Sequence, residues 1–291
     1  MTWGRLLLTG LSLVNLFDNM QVASMENANI EARIARATSL LVSLRDDVAN
    51  YCTADPASFK MRFSTVFDPV SNVTKHSIYA SANAFDPLFS IRAGEIVQHL
   101  RSALDHLVVA KSSLEGGGPS RKHQFPIVDT EADFEQQVRR GRLNGLPAKS
   151  IDWIKSIQPF NLADDPERKL VSPLAAIRDL SNRDKHNEIL VGLNVIKPGS
   201  EVGIYADTLG GHKHGSPLEI VEMSPPFRGE LGENEVEIFW IKASGYEPSL
   251  RIERVWNADI AIKINESDNW LQMIPFLNEL VRTLRAIQMQ F

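Results

Sequence analysis

Cysteine is almost missing from this sequence. Cys52 is the only one in 291 residues, so no intramolecular disulfide can close and no cysteine-based zinc site can be assembled. That scarcity fits a reducing compartment, and the expectation is a cytoplasmic protein. Excess positive charge is missing too: 31 Lys and Arg against 36 Asp and Glu leave a net charge of −5 and a pI near 5.8. Such a chain does not coat nucleic acid through a broad cationic surface, although a basic pocket confined to one spot is compatible with it. The apolar stretch 6–17, after Arg5, is too short to span a bilayer, and no membrane partner is expected. Also absent are a glycine-rich phosphate loop, a dinucleotide fingerprint, paired cysteines, His-Glu-x-x-His and Gly-x-Ser-x-Gly, which removes most common enzyme classes. There is no internal repeat and no low-complexity tract.

What is present supports a packed core, since 43% of the residues are hydrophobic. Two readings of residues 1–24 stay open: a signal peptide with Val22-Ala23-Ser24 as its cleavage site, or a poorly ordered or mis-started extension with Met25 as the alternative start. Ile30, Ile34, Ala37, Leu41, Leu44, Val48 and Tyr51 fall on one helical stripe. Extended stretches at 60–67 and 74–81 flank Asp68-Pro69-Val70-Ser71-Asn72, the chemistry of a hairpin turn. Short helices are expected at 131–140 and 147–157. Arg139, Arg140, Arg142 and Lys149 between and beside them read either as a solvated helix end or as a phosphate-contacting lip. Ser172 caps the next helix and Pro173 takes its first position, with Leu174, Ile177 and Leu180 on the buried side.

From residue 189 the pattern turns to strands, at 189–196, 201–205, 218–223, 235–242 and 251–255. His212-Lys213-His214 falls at an expected hairpin tip. Trp270, Met273, Leu277, Leu280, Leu284 and Ile287 return to helical spacing, with Pro275 near the helix start. The expected fold is therefore α+β: a helical bundle (near 28–53, 90–115, 172–187 and 270–290) packed with an antiparallel β-sheet from the second half. Its divisions are residues 1–24 as an extension, 25–190 as a helical domain carrying the hairpin, 191–264 as an antiparallel β region and 265–291 as a helix returning to the bundle.

The helix around 94–109 combines an apolar sector (Ile96, Val97, Leu100, Leu104, Leu107, Val108) with a polar ridge of Glu95, Gln98, His99, Arg101, Ser102, Asp105 and His106. Two constellations on it carry candidate chemistry. Arg101 and His106 could supply a permanent cation for a phosphate and a general acid or base; alternatively Arg101 and Asp105 are an ordinary helix pair and His106 a satisfied polar group. The row Glu95, His99, Ser102, His106 could form half of a bundle metal site, completed by Asp184 or His186, although the expectation is no metal and no cofactor. On its own helix Asp184 projects with Leu174, Ile177 and Leu180. It is therefore expected to be buried, with Arg101 as its cation and Asp184-Lys185-His186 within side-chain reach of the Arg101–His106 ridge. Asn182 and His186 share a different row with Arg178.

The segment Leu100-Arg101-Ser102-Ala103-Leu104-Asp105-His106-Leu107, with Phe125-Pro126-Ile127, Gln158-Pro159-Phe160 and Asn182-Arg183-Asp184-Lys185-His186, resembles a group of uncharacterised bacterial proteins carrying a Leu-Arg-x-Ala-Leu-Asp-His helix and a downstream Asp-Lys-His. More remotely, Arg101-x4-His106 is similar to the Arg-x4–6-His motif of the HEPN superfamily. That resemblance implies a metal-independent ribonuclease or toxin-type effector with a composite site across a homodimer, Arg101 stabilising phosphate and His106 acting as general acid or base on the ribose 2′-hydroxyl. RNA, a second copy of the chain and an antitoxin or regulatory protein would be its partners. Carried over residue by residue, the resemblance assigns only Arg101 and His106; Glu95, His99, Ser102, Asp105, Asn182, Asp184, Lys185 and His186 are supporting candidates from the ridge and the downstream segment. Two departures stand out: Ser102 only partly fills the place of the Asn or other polar residue often found after the Arg, and the long β region lies outside the minimal helical fold. The competing reading is a non-catalytic binding or scaffold protein whose polar ridge is a structural hydrogen-bond network.

Overall fold

A computed structural model describes residues 3–54, 59–82, 86–115, 118–162, 172–186, 189–195, 203–206, 220–224, 231–245, 250–253, 258–264 and 270–291. Its architecture is α+β, with helices and antiparallel strands in two compact units. One unit comprises residues 1–45, 88–189 and 274–291, the other 46–87 and 190–273. Among the described residues, no helix is long and apolar enough to cross a membrane.

The first unit is helical. Its elements are α1 (Trp3–Ala54, continuing past the unit's edge), α2 (Leu88–Leu114), α3 (Glu131–Arg139), α4 (Ala148–Ser156), a 3-10 turn (Pro159–Leu162), α5 (Pro173–His186) and α6 (Met273–Gln290). The apolar stripes are what bind them. Ile30, Ile34, Ala37, Leu41 and Leu44 of α1 are buried, as are Ile96, Val97, Leu100, Leu104, Leu107 and Val108 of α2 and Leu277, Leu280, Leu284 and Ile287 of α6. Their removal from water at about 25 cal/mol per Å² is the main favourable contribution to the unit. Local chemistry sets the helix starts. The Asp133 N–H donates to Thr130 Oγ1 at 3.1 Å to open α3, and the Ala175 N–H donates to Ser172 Oγ at 3.5 Å to open α5, with Pro173 at its first position. α1 begins at Trp3 rather than near residue 28, so residues 3–24, expected as an extension outside the first helix, are continuous with it. Ala23 is already buried.

In the second unit the expected hairpin forms as β1 (Phe59–Asp68) and β2 (Val73–Ala82), in register from Phe59 opposite Ala82 to Asp68 opposite Val73. Asp68 closes the turn by accepting from the Val70 N–H at 2.9 Å and from Ser71 Oγ at 2.6 Å, and Asn72 takes the left-handed conformation at φ 52°. The hairpin was expected with the helices. Instead β2 pairs antiparallel with β6 (Val236–Ser244), and with β5 (Ile220–Met223) they make a sheet ordered β1-β2-β6-β5. A sheet built only from the second half is thus corrected, because the inner edge of β2 is satisfied by β6. A second sheet orders β3 (Val191–Val195), β8 (Ala258–Lys263) and β9 (Trp270–Gln272), and β4 (Gly203–Ala206) pairs with β7 (Leu250–Glu253). Trp270 was counted with the last helix; it belongs to β9, and α6 starts three residues later. His212-Lys213-His214 lies outside the described residues.

Candidate functional site

The chemistry-bearing segments of the helical unit meet on the loop strip 125–128. Phe125 is fully buried, and its backbone is held from both ends by one helix pair. Arg101 Nη2 of α2 donates to the Phe125 carbonyl at 2.8 Å and to Asp105 Oδ1 at 3.2 Å, and the same Asp105 oxygen accepts the Phe125 N–H at 2.9 Å. An arginine and an aspartate one helical turn apart thus present a donor and an acceptor to the two peptide groups that flank a single residue. Gln158, also fully buried, completes the grip. Its Nε2 donates to the carbonyls of Pro126 at 3.0 Å and Ile154 at 3.1 Å, while its Oε1 accepts the Val128 N–H at 3.1 Å. A loop with apolar anchors cannot bury its peptide groups unless they are paired, and these side chains supply the pairing.

The strip forms one wall of a cavity of about 190 Å³ inside this unit, which Arg101 lines from α2 and Arg178, Ser181 and Asn182 line from α5. Arg178 Nη1 donates to Asp129 Oδ2 and its Nε to Asp179 Oδ1, both at 2.7 Å. Burial works against its charge, but Asp179 and Asp129 prevail and hold its pKa above the ordinary arginine value. For Arg101 burial prevails, and Arg142 adds to it; the opposing Asp105 leaves the pKa below the ordinary value while the group stays cationic. The row Arg178–Asn182 expected along α5 therefore faces the cavity. Arg142 Nη1 donates to the Lys122 carbonyl at 3.3 Å, whereas Arg139, Arg140 and Lys149 are exposed.

Asp184 corrects an expectation. It is exposed rather than buried, and it meets Gln98 of α2, not Arg101: Gln98 Nε2 donates to Asp184 Oδ2 at 3.1 Å and to the Ser181 carbonyl at 3.2 Å. The physical reason lies opposite it. Gly94 presents no side chain, and a Cβ there would stand 2.8 Å from Asp184 Cγ, so the carboxylate lies over the glycine in a place that water reaches. α5 does dock on α2, but through Gln98 and Gly94, one to two turns before Arg101 and further from His106. The side chains of Lys185 and His186, expected to complete this cluster, lie outside the described residues.

The rest of the polar ridge faces α1. His106 Nδ1 is hydrogen-bonded to Glu26 Oε2. His99 sits near Arg33 and Arg36 of α1 and Glu95 of its own helix. Its burial, aided by the two arginines and opposed by Glu95, lowers its pKa from the ordinary histidine value. Ser102, between them in the row, is half-buried. The row Glu95, His99, Ser102, His106 is thus the α1-facing edge of α2. Among the described residues, no group of three or more His, Cys, Asp or Glu is placed to hold a metal.

Gln98, Gln158, Gly94 and Glu26 are working residues that are not among the candidates the sequence marks. Gln158 stood within a quoted motif, and Gln98 lay in the polar sector of the wheel. For Glu26 there was no signal, because the first helix was expected to begin after it. No family model matches the chain, and no curated protein or solved structure matches it.

Proposed function

We propose that the chain is a non-catalytic binding protein in which the polar ridge of α2 organises the unit and builds the wall of a ligand pocket. The observation that carries this reading is the division of labour between Arg101 and His106. Five residues on an α-helix turn the side chain by roughly 140°, so the two point to different neighbours. Arg101 is engaged by Asp105 and the Phe125 carbonyl, and His106 by Glu26 on α1. Cleavage of a phosphodiester by a ribose 2′-hydroxyl needs the proton-transfer group and the cation around one phosphorus, within hydrogen-bonding reach of it. Within one chain these two groups serve separate contacts.

The rival reading is a HEPN-like, metal-independent ribonuclease or toxin-type effector in which two copies of the chain bring Arg101 and His106 together and an antitoxin restrains them. Its support is that the His106 side chain is 24% exposed, enough to be reached by a substrate. RNA cleavage by the purified chain in excess chelator separates the two. The binding reading expects intact RNA after prolonged incubation. Cleavage that disappears in a folded His106→Ala variant would overturn it in favour of the nuclease.

A further inference from the structure

We infer that the cavity between α2, the strip 125–128 and α5 is a recognition site for the oxyanion group of a small ligand, a phosphate monoester or a carboxylate. The inference deepens the binding reading above and rests on it. The charged side chains that line the cavity are both guanidinium groups, Arg101 and Arg178. Their carboxylate partners, Asp105, Asp129 and Asp179, are not part of the lining. This arrangement fixes the arginines from outside the cavity and leaves donors facing into it. On Arg178, Asp129 occupies Nη1 and Asp179 occupies Nε, so Nη2 takes part in neither contact. On Arg101, the bonds to Asp105 and to the Phe125 carbonyl both use Nη2. A guanidinium held this way is already oriented, and the N–H donors outside these contacts can each make a charge-assisted hydrogen bond to a phosphate or carboxylate oxygen. Gln124, Gln137, Ser181 and Asn182 add uncharged hydrogen-bonding groups to the same lining.

The cavity, about 190 Å³, has room for an oxyanion head group. Charge sets the mode of recognition. Asp105, Asp129 and Asp179 offset the charge of the two lining arginines and of Arg142 near Arg101, so capture depends on directed hydrogen bonds at short range and not on a field that draws anions from solution. Binding should therefore persist when salt is raised, unlike binding on a cationic surface.

The test is a titration of the full chain with inorganic phosphate, followed by calorimetry and by thermal shift at fixed ionic strength, with succinate as a parallel arm to distinguish phosphate from carboxylate preference. The expected result is saturable 1:1 binding of at least one of the two anions, retained at high sodium chloride. Arg178→Gln should weaken it by roughly tenfold or more, the loss expected for one charge-assisted contact. Asn182→Ala, an exposed position, is a second variant in case Arg178→Gln alters the fold, and it should weaken binding by a smaller factor. Arg139→Gln, exposed and outside the cavity, should leave binding unchanged. Failure of both anions to saturate, undiminished binding in folded Arg178→Gln and Asn182→Ala, or an equal loss in Arg139→Gln would each overturn the inference. RNA cleavage would overturn the underlying binding reading whatever the titration shows, so the two failures are distinguishable.

Discussion

The two edges of α2 do different work with similar residues. On the edge carrying Arg101 and Asp105, side chains reach the backbone of a remote loop and satisfy peptide groups that the fold has buried. On the edge carrying His99 and His106, side chains meet other side chains, on α1. The difference teaches what each edge can tolerate. A peptide group cannot move away from a lost partner without moving the chain, whereas a carboxylate such as Glu26 can turn toward water. The first edge should therefore respond to substitution by loss of stability, and the second by a shift in pH dependence.

The largest expected effect tests that contrast directly. Asp105→Ala strands the Phe125 N–H and leaves Arg101, only 13% exposed at its side chain, without its carboxylate. Removing one partner of a fully buried pair costs about 3–5 kcal/mol. Asp105 is itself 32% exposed, so the lower end, about 3 kcal/mol, is expected in urea unfolding. His106→Gln, on the other edge, should cost about 1 kcal/mol or less. Equal losses in the two variants would erase the distinction between the edges.

A smaller effect belongs to pH. The folded-state pKa of His99 lies below its unfolded value because burial, Arg33 and Arg36 disfavour the charged ring. Between the two values the unfolded chain binds more protons than the folded one, so stability must rise with pH there. The contribution is in place above the ordinary histidine pKa of about 6.5 and is lost as pH falls through the lower, folded value. His123, in the same unit, is also lowered by burial and adds a slope of the same sign. Unfolding midpoints measured from about pH 8 down to about pH 5 should fall less steeply in His99→Gln than in the parent. An unchanged slope would mean that the α1-facing edge has no role in the pH response.

Much of the fold was legible because its signals are local. The stripes of α1, α2 and α6 follow from helical period alone, and the hairpin from Asp68 and Asn72. What escaped depends on distant partners or on too few residues. β9 has three residues, too short to show alternation, and Trp270 happens to stand three before Met273, a helical spacing. In the candidate site the wheel separated ridge from core correctly. It could not say that Asp105 serves Phe125 or that His106 meets Glu26, because nothing in the spacing of one helix names the neighbour across from it. Asp184 failed for another reason: the wheel fixes a direction, and the burial at the end of that direction depends on what the facing helix puts there. At Gly94 it puts no side chain.

That glycine supports the last and smallest prediction. Asp184 is exposed and is anchored by Gln98, so Asp184→Ala should cost about 1 kcal/mol or less, far below the penalty for a buried carboxylate. Gly94 lies within α2, where replacing glycine by alanine ordinarily gains about 1 kcal/mol of helix propensity. Here the new Cβ would collide with the Asp184 carboxylate, which must rotate and give up its bond from Gln98. In the parent chain, Gly94→Ala should therefore be neutral or destabilising. With Asp184→Ala already in place there is no carboxylate to displace, and the same substitution should stabilise by up to about 1 kcal/mol. A double-mutant cycle reads the difference as a coupling between the two positions. Additive effects would mean that α2 and α5 do not meet at Gly94, and the docking of the Asp184 segment on α2 would have to be redrawn.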